Sequence, residues 1–414
     1  MIPTHPFYRS IHERRASFPS LNRIYQAHPL VYLDGPAGSQ MPQPVIDAMV
    51  QYYTTCNANT HGQFITSQES DRLVQQTRET AAAFLGAPTS KTISFGANMT
   101  TLTYSLSKAI GRAFKEGDEV LITQLDHEAN RGPWLSLRER GIVVNEIRVK
   151  EDCTLDYDDL RSKISTRTRL VAMGAASNAF GTVNDITLVR ELTSKAGAYL
   201  FVDAVHYAPH FPIDVKALDV DFLICSAYKF YGPHVGILYA REGLLDQLET
   251  DRLRTQDQSA PYRIETGTLN HAAILGVKAA IEFIASLAEG ATLRERIVNA
   301  MQHTTHYERT LALKLYDGLR KIDGVKIFGP SFESGLRAPT VSFRMRSLSP
   351  EEVCSHLGEV GICTWDGHFY AIRSIELFGL LEKGGVTRVG VLLYNTSEEI
   401  DKLLDTVSSL AHKR

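Results

Sequence analysis

The sequence predicts an α/β fold in which a large, mostly parallel, doubly wound sheet is followed by a smaller α+β domain. Short apolar runs alternate with amphipathic stretches from about residue 31 onwards, which is typical of successive strand–helix units. Several of the apolar runs close on polar residues, as buried parallel strands do when they deliver side chains to a cleft. Such a sheet binds its ligand beyond the carboxyl ends of the strands.

The individual elements are predicted in chain order from these runs. The run at 31–38 indicates a short strand that ends in a turn. The large domain should then contain strands at 92–95, 119–123, 170–173, 198–202 and 222–225, with helices near 98–112, 130–140 and 186–196. Long helices are expected across 270–320, and further strands at 340–343 and 387–394.

The domain organisation follows from the same pattern. A chain of 414 residues is long enough for one large domain and one smaller domain. We predict an N-terminal arm at 1–30 that packs with the small domain, a large domain at 31–285 and a small C-terminal domain at 286–414.

The composition narrows the classes of partner and compartment. A net charge of −3 gives no electrostatic reason to expect nucleic acid or an anionic membrane as a partner. The sequence contains no apolar stretch long enough to span a bilayer. Its five cysteines are scattered without a C-x-x-C pair, which favours a reducing compartment over disulfides or a metal site. We expect a cytoplasmic protein that binds no metal.

Two predicted strand ends carry the most informative residues. One apolar run closes on Asp203, and a second closes on Ser226, Tyr228 and Lys229, so that Lys229 follows Asp203 by 26 residues. Pyridoxal phosphate (PLP) chemistry needs this combination, because a lysine holds the cofactor aldehyde as a Schiff base and an acid keeps the pyridine nitrogen protonated. The alternative is an ordinary surface lysine beside a strand end.

Other loops offer groups that suit such a cofactor. The segment 95–101 follows a predicted strand and opens a helix, whose N-terminal N–H groups suit a phosphate, although Asn98 could equally be an ordinary N-cap. The flat imidazole of His127 could pack on an aromatic ring and carry protons. Asn178 lies in an Asn-x-x-Gly turn, which is common by itself.

Together these segments resemble the class V (fold type I) PLP-dependent enzymes, and most closely the cysteine desulfurase and selenocysteine lyase branch. The resemblance extends over nearly the whole chain and implies an amino acid substrate and a homodimer with shared active sites. It implies that Lys229 forms the Schiff base and moves the substrate α-proton, that Asp203 faces the pyridine nitrogen and that His127 stacks on the ring. The remaining cofactor contacts that it implies are Ala97, Asn98, Ser226 and Tyr228 at the phosphate, Thr268 at the phosphate of the neighbouring subunit, and Asn178 and His206 at the phenolic oxygen.

The same resemblance implies which residues bind the substrate. Arg388 takes the place of the arginine that clamps the substrate carboxylate, and Asn178 contacts that carboxylate as well. His206 stands where many relatives have glutamine, so its titration is expected to make the electronics of the cofactor ring depend on pH.

The loop that carries the desulfurase cysteine departs from the family pattern. The family reads Gly-Ile-x-x-Arg-x-Gly-His-His-Cys-Ala, whereas residues 361–371 read Gly-Ile-Cys-Thr-Trp-Asp-Gly-His-Phe-Tyr-Ala. Tyr370 therefore stands at the nucleophile position, where it would contact the substrate, and Trp365 stands at a second substrate-binding arginine. Tyrosine cannot form a persulfide. Cys363, seven positions earlier, is expected to be a small buried hydrophobe.

We therefore expect a PLP-dependent enzyme that abstracts the α-proton of an amino acid. The preferred reaction is β-elimination across a C–S bond, because this reaction needs no cysteine. The alternatives are a true cysteine desulfurase that uses Cys363, a class V aminotransferase or epimerase, and a catalytically inactive PLP-binding scaffold.

Overall fold

The computed structural model describes residues 9–412, so the first residues of the predicted arm, 1–8, lie outside the described residues. The strands of this part of the chain are β1 (Ile24–Tyr25), β2 (His28–Pro29), β3 (Val31–Tyr32), β4 (Ile93–Gly96), β5 (Glu119–Thr123), β6 (Val143–Ile147), β7 (Thr168–Gly174), β8 (Tyr199–Asp203), β9 (Phe222–Ser226), β10 (Gly236–Ala240), β11 (Val325–Phe328), β12 (Thr340–Met345), β13 (Ile362–Cys363), β14 (Trp365–Gly367) and β15 (Val386–Gly390). Its helices are α1 (Ile11–Ala16), α2 (Gln43–Thr55), α3 (Ile65–Leu85), α4 (Met99–Gly111), α5 (Gly132–Leu135), α6 (Tyr157–Lys163), α7 (Ile186–Ala196), α8 (Leu244–Gln247), α9 (His271–Ala285), α10 (Leu293–Arg320), α11 (Pro350–Glu359), α12 (Ile372–Leu377) and α13 (Ser397–His412).

A seven-stranded sheet forms the centre of the molecule, in the order β4-β10-β9-β8-β7-β5-β6. Strands β5 to β9 run parallel to one another, whereas β10 is antiparallel to both β9 and β4. The strands β5, β9 and β10 are buried along their whole length, as expected for a sheet covered on both faces. The prediction of an α/β fold with a large, mostly parallel sheet is confirmed, and the architecture is that of fold type I.

The C-terminal part of the chain forms a separate four-stranded antiparallel sheet, in the order β11-β12-β15-β14. Helices α10, α11 and α13 pack around this sheet over an apolar cluster of its own, which includes Leu315, Val341 and Val389. The short strands β3 and β13 pair in parallel, so the chain just after the predicted arm is fixed to this C-terminal part. The domain boundaries themselves stay a prediction.

Most of the elements predicted from the sequence lie where the pattern places them, and two differ. Helices α4 and α7 match the predicted ranges, but the predicted helix near 130–140 consists only of α5 and a 3-10 turn at Ser136–Arg140. Here the buried Trp134 ring donates its indole N–H to Asn130, and Gly141 ends the segment in a left-handed conformation. The predicted strand at 387–394 stops at Gly390, because the Leu392 N–H turns to the Asn395 side chain.

No helix in residues 9–412 combines the length and the apolar character that crossing a membrane requires.

A buried ion pair joins the central sheet to the loop before α9. The Arg78 guanidinium on α3 binds both carboxylate oxygens of Glu265, at 2.6 and 3.1 Å. The same carboxylate accepts the Phe95 backbone N–H on β4 at 2.6 Å, and both side chains of the pair are almost fully buried. This contact fixes the segment that leads to Thr268.

We expect Glu265→Ala to lower the free energy of unfolding by about 3–5 kcal/mol, because it leaves the Arg78 charge buried and without its partner. Glu282→Ala breaks an ion pair with Lys278 on α9 whose glutamate is half exposed, and it should cost only about 0.3–0.5 kcal/mol. Urea unfolding followed by tryptophan fluorescence compares the two variants. Equal stability of the two variants would contradict the prediction.

Candidate active site

A cleft opens at the carboxyl ends of the central strands and collects most of the residues predicted for the site. The predicted residues that line it are Asn98, His127, Asn178, Asp203, His206, Ser226, Tyr228 and Lys229. Ala97 is exposed in the turn between β4 and α4, directly before Asn98. Arg388, Tyr370 and Thr268 are not part of the lining of this cleft.

Lys229 ends a short 3-10 turn that directly follows β9. Its side chain is buried, and its Nζ donates to the carbonyl oxygens of Pro36 and Ala37, the latter at 3.0 Å. Burial, and then the positive charge of Arg388, lower the pKa of Lys229 to about 7, while Asp34 and Asp203 act in the opposite direction. An amine with such a pKa is uncharged for much of the time near neutral pH and can act as a nucleophile or a base.

Two carboxyl groups face the cleft from the ends of β8 and β5, which have β7 between them. Asp203, at the end of β8, accepts the Val205 N–H at 2.9 Å, and burial raises its pKa to about 6. Asp126 accepts the Gly174 N–H at 2.8 Å and the Asn130 amide at 3.1 Å, and burial is also the main reason why its pKa rises to about 7. The sequence interpretation assigned no role to Asp126. Its position after the apolar run of β5 was the signal that could have identified it.

The N-terminus of α4 meets the end of β9 at this cleft. The Asn98 side chain is the N-cap of α4 and accepts the Thr101 N–H at 2.9 Å. The Ser226 hydroxyl accepts the Met99 N–H at 3.0 Å. The first turn of a thirteen-residue helix therefore lies at the cleft, where its positive end favours an anion.

His127 and Tyr370 meet beside the opening of the cleft. The His127 Nδ1 accepts the Ala129 N–H at 3.0 Å, so in the neutral ring the proton is on Nε2. Burial is the main reason why the His127 pKa falls to about 4, so the ring is neutral at physiological pH. The Tyr370 ring lies 5.4 Å from the His127 ring, measured between centroids, and is 63% exposed.

Arg388 lies behind the cleft and is only 2% exposed. Its guanidinium donates to Asp34 at 3.2 Å and to the Asn178 carbonyl at 3.2 Å, and lies 4.0 Å from the centre of the Phe369 ring. Burial lowers the Arg388 pKa to about 10, and it also raises the pKa of Asp34. Asp34 and the carbonyl groups that follow it were missed in the sequence, where this segment was interpreted only as a turn after β3.

The surroundings of His206 do not favour the expected pH-dependence. Burial, followed by the positive charges that His210, Lys229 and Arg388 can carry, lowers its pKa well below the usual range. Its Nε2 lies 3.0 Å from the Thr340 hydroxyl, and its buried Nδ1 has no hydrogen-bond partner among the described residues. His206 is therefore a neutral ring with one polar atom still available at the wall of the cleft.

The remaining predicted residues lie at different distances from this chemistry. Tyr228 stacks on His234 with 4.6 Å between the ring centroids, and burial raises the pKa of Tyr228. Thr268 is exposed on the surface of its own chain.

None of the cysteines in residues 9–412 lines the cleft. Cys363 lies on β13 opposite Tyr32, and partial burial raises the pKa of its thiol.

The chain is similar to known proteins over nearly its whole length. The family model described as "Aminotransferase class-V" matches residues 31–403. The chain is 32% identical to a cysteine desulfurase of Klebsiella pneumoniae over 95% of this chain and 97% of that protein, and 30% identical to a probable cysteine desulfurase of Synechocystis over 95% and 94%.

Two solved structures have the same overall fold. The apo cysteine desulfurase of Thermococcus onnurineus superposes with a TM-score of 0.88 and 28% identity, covering 98% of this chain and 99% of that one. The S-sulfonic acid form of an Escherichia coli cysteine desulfurase superposes with a TM-score of 0.85 and 28% identity, covering 97% and 98%.

We expect the amine of Lys229 to react with acetic anhydride with a half-maximal rate at about pH 7. Competitive labelling of the apoprotein followed by mass spectrometry measures this value for each lysine peptide. The exposed Lys91 is the internal control. Asp34→Asn should lower the midpoint for Lys229, because Asp34 raises that pKa. A Lys229 midpoint equal to that of Lys91 would contradict the prediction.

Proposed function

This chain belongs to the class V aminotransferase family, whose members are PLP-dependent enzymes, and we propose that it is a C–S lyase that acts on a sulfur-containing amino acid. The observation that carries the proposal is the content of the cleft. The cleft presents a buried lysine and carboxyl groups for proton chemistry, and no thiol among the described residues lines it. Elimination requires a base and an acid for proton transfer, and it does not require a thiol.

The residues of the cleft fit the cofactor of the family. Lys229 offers an amine of near-neutral pKa, and Asp203 offers a buried carboxylate at the end of the neighbouring strand β8. The start of α4, together with Ala97, Asn98, Ser226 and Tyr228, would hold the phosphate. His127 would lie against the ring, and the unpartnered Nδ1 of His206, with the Asn178 amide, would meet the phenolic oxygen.

The protein groups then have distinct tasks in the reaction. When bound, PLP accepts the electron pair that the substrate Cα–H bond leaves behind. The Asp203 carboxylate would keep the pyridine nitrogen protonated, which favours this electron transfer. Lys229 takes the α-proton with its amine, since its pKa of about 7 places it in the range that suits a general base. His127 is neutral at physiological pH and can pass a proton at Nε2.

Arg388 would bind the substrate carboxylate. One arm of its guanidinium already holds Asp34 and another holds the Asn178 carbonyl, while its buried Nε has no partner among the described residues. The Asp34 carboxylate keeps this buried cation paired before the substrate arrives. A substrate carboxylate would then join or replace this existing ion pair. Because Arg388 is already buried and paired, substrate binding does not have to strip water from the arginine.

The proposed reaction breaks the Cα–H, Cβ–S and finally the Cα–N bond of the substrate, and it transfers no sulfur to the protein. Lys229 removes the α-proton, the Cβ–S bond breaks with its electron pair on sulfur, and the sulfur leaves as a thiol after it takes up a proton. Water then releases the remaining three carbons as pyruvate and the nitrogen as ammonia. A desulfurase would instead give alanine and a persulfide on a cysteine, and burial raises the pKa of Cys363 away from the thiolate form that such chemistry needs.

We further propose that the active enzyme is a cytoplasmic homodimer. Thr268 is exposed and lies outside the cleft of its own chain, so it is available to complete the phosphate site of a second copy. The buried pair of Arg78 and Glu265 holds the start of this segment in place.

Analysis of the products tests the reaction type. The PLP-loaded protein, incubated with L-cysteine, L-cystine or an S-alkyl cysteine, should give pyruvate and ammonia in equal amounts, with no net alanine. Lys229→Ala should lose about 10³-fold or more of this activity, because it removes the base and the covalent link to the cofactor. Alanine as the main product would overturn the proposal.

Two further variants separate the alternatives in the same assay. Cys363→Ala and Tyr370→Phe should each keep at least about half of the pyruvate formation, because neither side chain is a nucleophile in this reaction. A loss of turnover in Cys363→Ala with alanine as the product would instead favour the desulfurase that uses this cysteine.

We also expect the visible absorbance of the PLP-loaded protein to have the same dependence on pH in the natural protein and in His206→Gln. His206 is uncharged at neutral pH because burial lowers its pKa, so it should contribute no titration between about pH 6 and pH 8. Spectra recorded through this range without substrate measure the effect. A transition near pH 6.5 that the glutamine variant lacks would contradict the prediction.

A further inference from the structure

A second concave site lies in the C-terminal part of the molecule and shares no residue with the active-site cleft. It has a cavity volume of about 710 Å³, which is in the range of small-molecule sites. The end of α10, the strand β11, the end of β12 and the segment at 378–383 surround it. We call it the basic cavity, because its charged lining residues are the cations Arg320, Lys321, Lys326, Arg344, Arg346 and Lys383 and the single carboxylate Asp323.

This charge is opposite to that of the whole chain. Six cations against one carboxylate give the lining a net charge of +5, while the whole chain carries a net charge of −3. The one carboxylate contributes little, since Asp323 is 3.7 Å from Arg346 and both side chains are largely exposed. Converging cations in a concave surface create a local positive potential that attracts anions.

Ordinary structural roles account for some of these cations. Arg320 and Lys321 lie at the C-terminus of α10, where positive charge complements the helix dipole. Arg344 donates to the carbonyl oxygens of Lys383 and Gly385, at 2.7 and 2.5 Å, and therefore holds the backbone in place. Lys326 and Arg346 have neither role. Lys326 lies over the Phe328 ring, 5.1 Å from its centre, and Arg346 pairs with the exposed Asp323 at 3.7 Å.

The position of Lys326 favours a bound anion. Lys326 on β11 is directly opposite Arg344 on β12 in the antiparallel register, so their side chains share one face of the sheet. Two like charges at directly opposed positions destabilise a strand pair. An anion bound between the Lys326 and Arg344 side chains would offset this repulsion. Guanidinium groups also bind phosphate oxygens in a bidentate geometry.

Part of the lining of the basic cavity is apolar. Phe328, Phe378 and Leu380 belong to it, Phe328 is on the same sheet face as Lys326, and Phe328 and Leu380 are buried. A ligand that matches both parts carries negative charge on one side and an apolar or flat ring on the other. We propose that the basic cavity binds a small phosphorylated organic anion of the nucleotide class, independently of the active site.

Isothermal titration of the full-length, PLP-saturated protein with ADP tests this proposal. Saturation with PLP keeps the phosphate position of the active site filled, so that heat from ADP reports another site. Pyrophosphate, which carries only the negative charge of ADP, and adenosine, which carries only the ring system, serve as partial ligands. We expect ADP to bind more tightly than either, with an affinity that falls as the salt concentration rises, and adenosine to bind at least about tenfold more weakly.

A matched pair of variants locates the binding. The double variant Lys326→Gln and Arg346→Gln removes two exposed cations of the basic cavity and leaves Arg344 to hold the backbone. The control, Lys91→Gln with Arg140→Gln, removes the same charge from exposed positions outside it. We expect the first to weaken ADP binding at least about tenfold and the second to leave it unchanged. Equal binding by both variants, no ADP binding at millimolar concentration, or binding of RNA but not ADP would each overturn the proposal.

Discussion

The structure depends on one constraint, namely that a lysine amine must be kept buried at the end of a strand without a carboxylate bound to it. Pro36 and Ala37 provide carbonyl oxygens that accept hydrogen bonds from the Lys229 amine. A carbonyl is uncharged, so it stabilises the protonated amine less than a bound carboxylate would, and burial can still lower the pKa of the lysine. These carbonyls follow β3, which pairs with β13 in the C-terminal part of the chain. The reactivity of the amine therefore depends both on the central sheet, which positions Lys229, and on the segment after β3, which is fixed to the C-terminal part of the chain.

The charges around this amine balance one another. Arg388 lowers the pKa of Lys229, while Asp34 and Asp203 raise it, and Asp34 also pairs with Arg388. Arg388, Lys229 and Asp203 are buried, while Asp34 is partly exposed, and a buried charge without a partner would cost several kcal/mol. A substrate carboxylate that reaches Arg388 changes this balance, because it adds negative charge beside the lysine and favours its protonated form. Binding of the substrate and the basicity of the amine are thus physically coupled.

The sequence predicted the fold and the residues of the cleft where local pattern decides them. Asp203, Ser226 and Lys229 follow buried apolar runs, and parallel strands bring such ends together whatever their distance along the chain. Asp34 and Asp126 were not assigned roles, because their significance depends on Arg388 and Asp203, which approach only in three dimensions. The neutral state of His206 could not be predicted either, since it results from burial and from the charges of Lys229 and Arg388, which lie on other elements.

The loop at Tyr370 explains how the chemistry of such a site can change while its framework is kept. Phe369 and Tyr370 both have positive φ angles, of 52° and 57°, a conformation that costs about 1–3 kcal/mol for each non-glycine residue. The Asn178 amide holds the Phe369 carbonyl at 2.9 Å, and the Glu128 N–H holds the Tyr370 carbonyl at 2.7 Å. Both anchors use backbone oxygens of the loop. The side chain at position 370 can therefore differ without moving the loop, which allows a phenol beside His127 on the same backbone path.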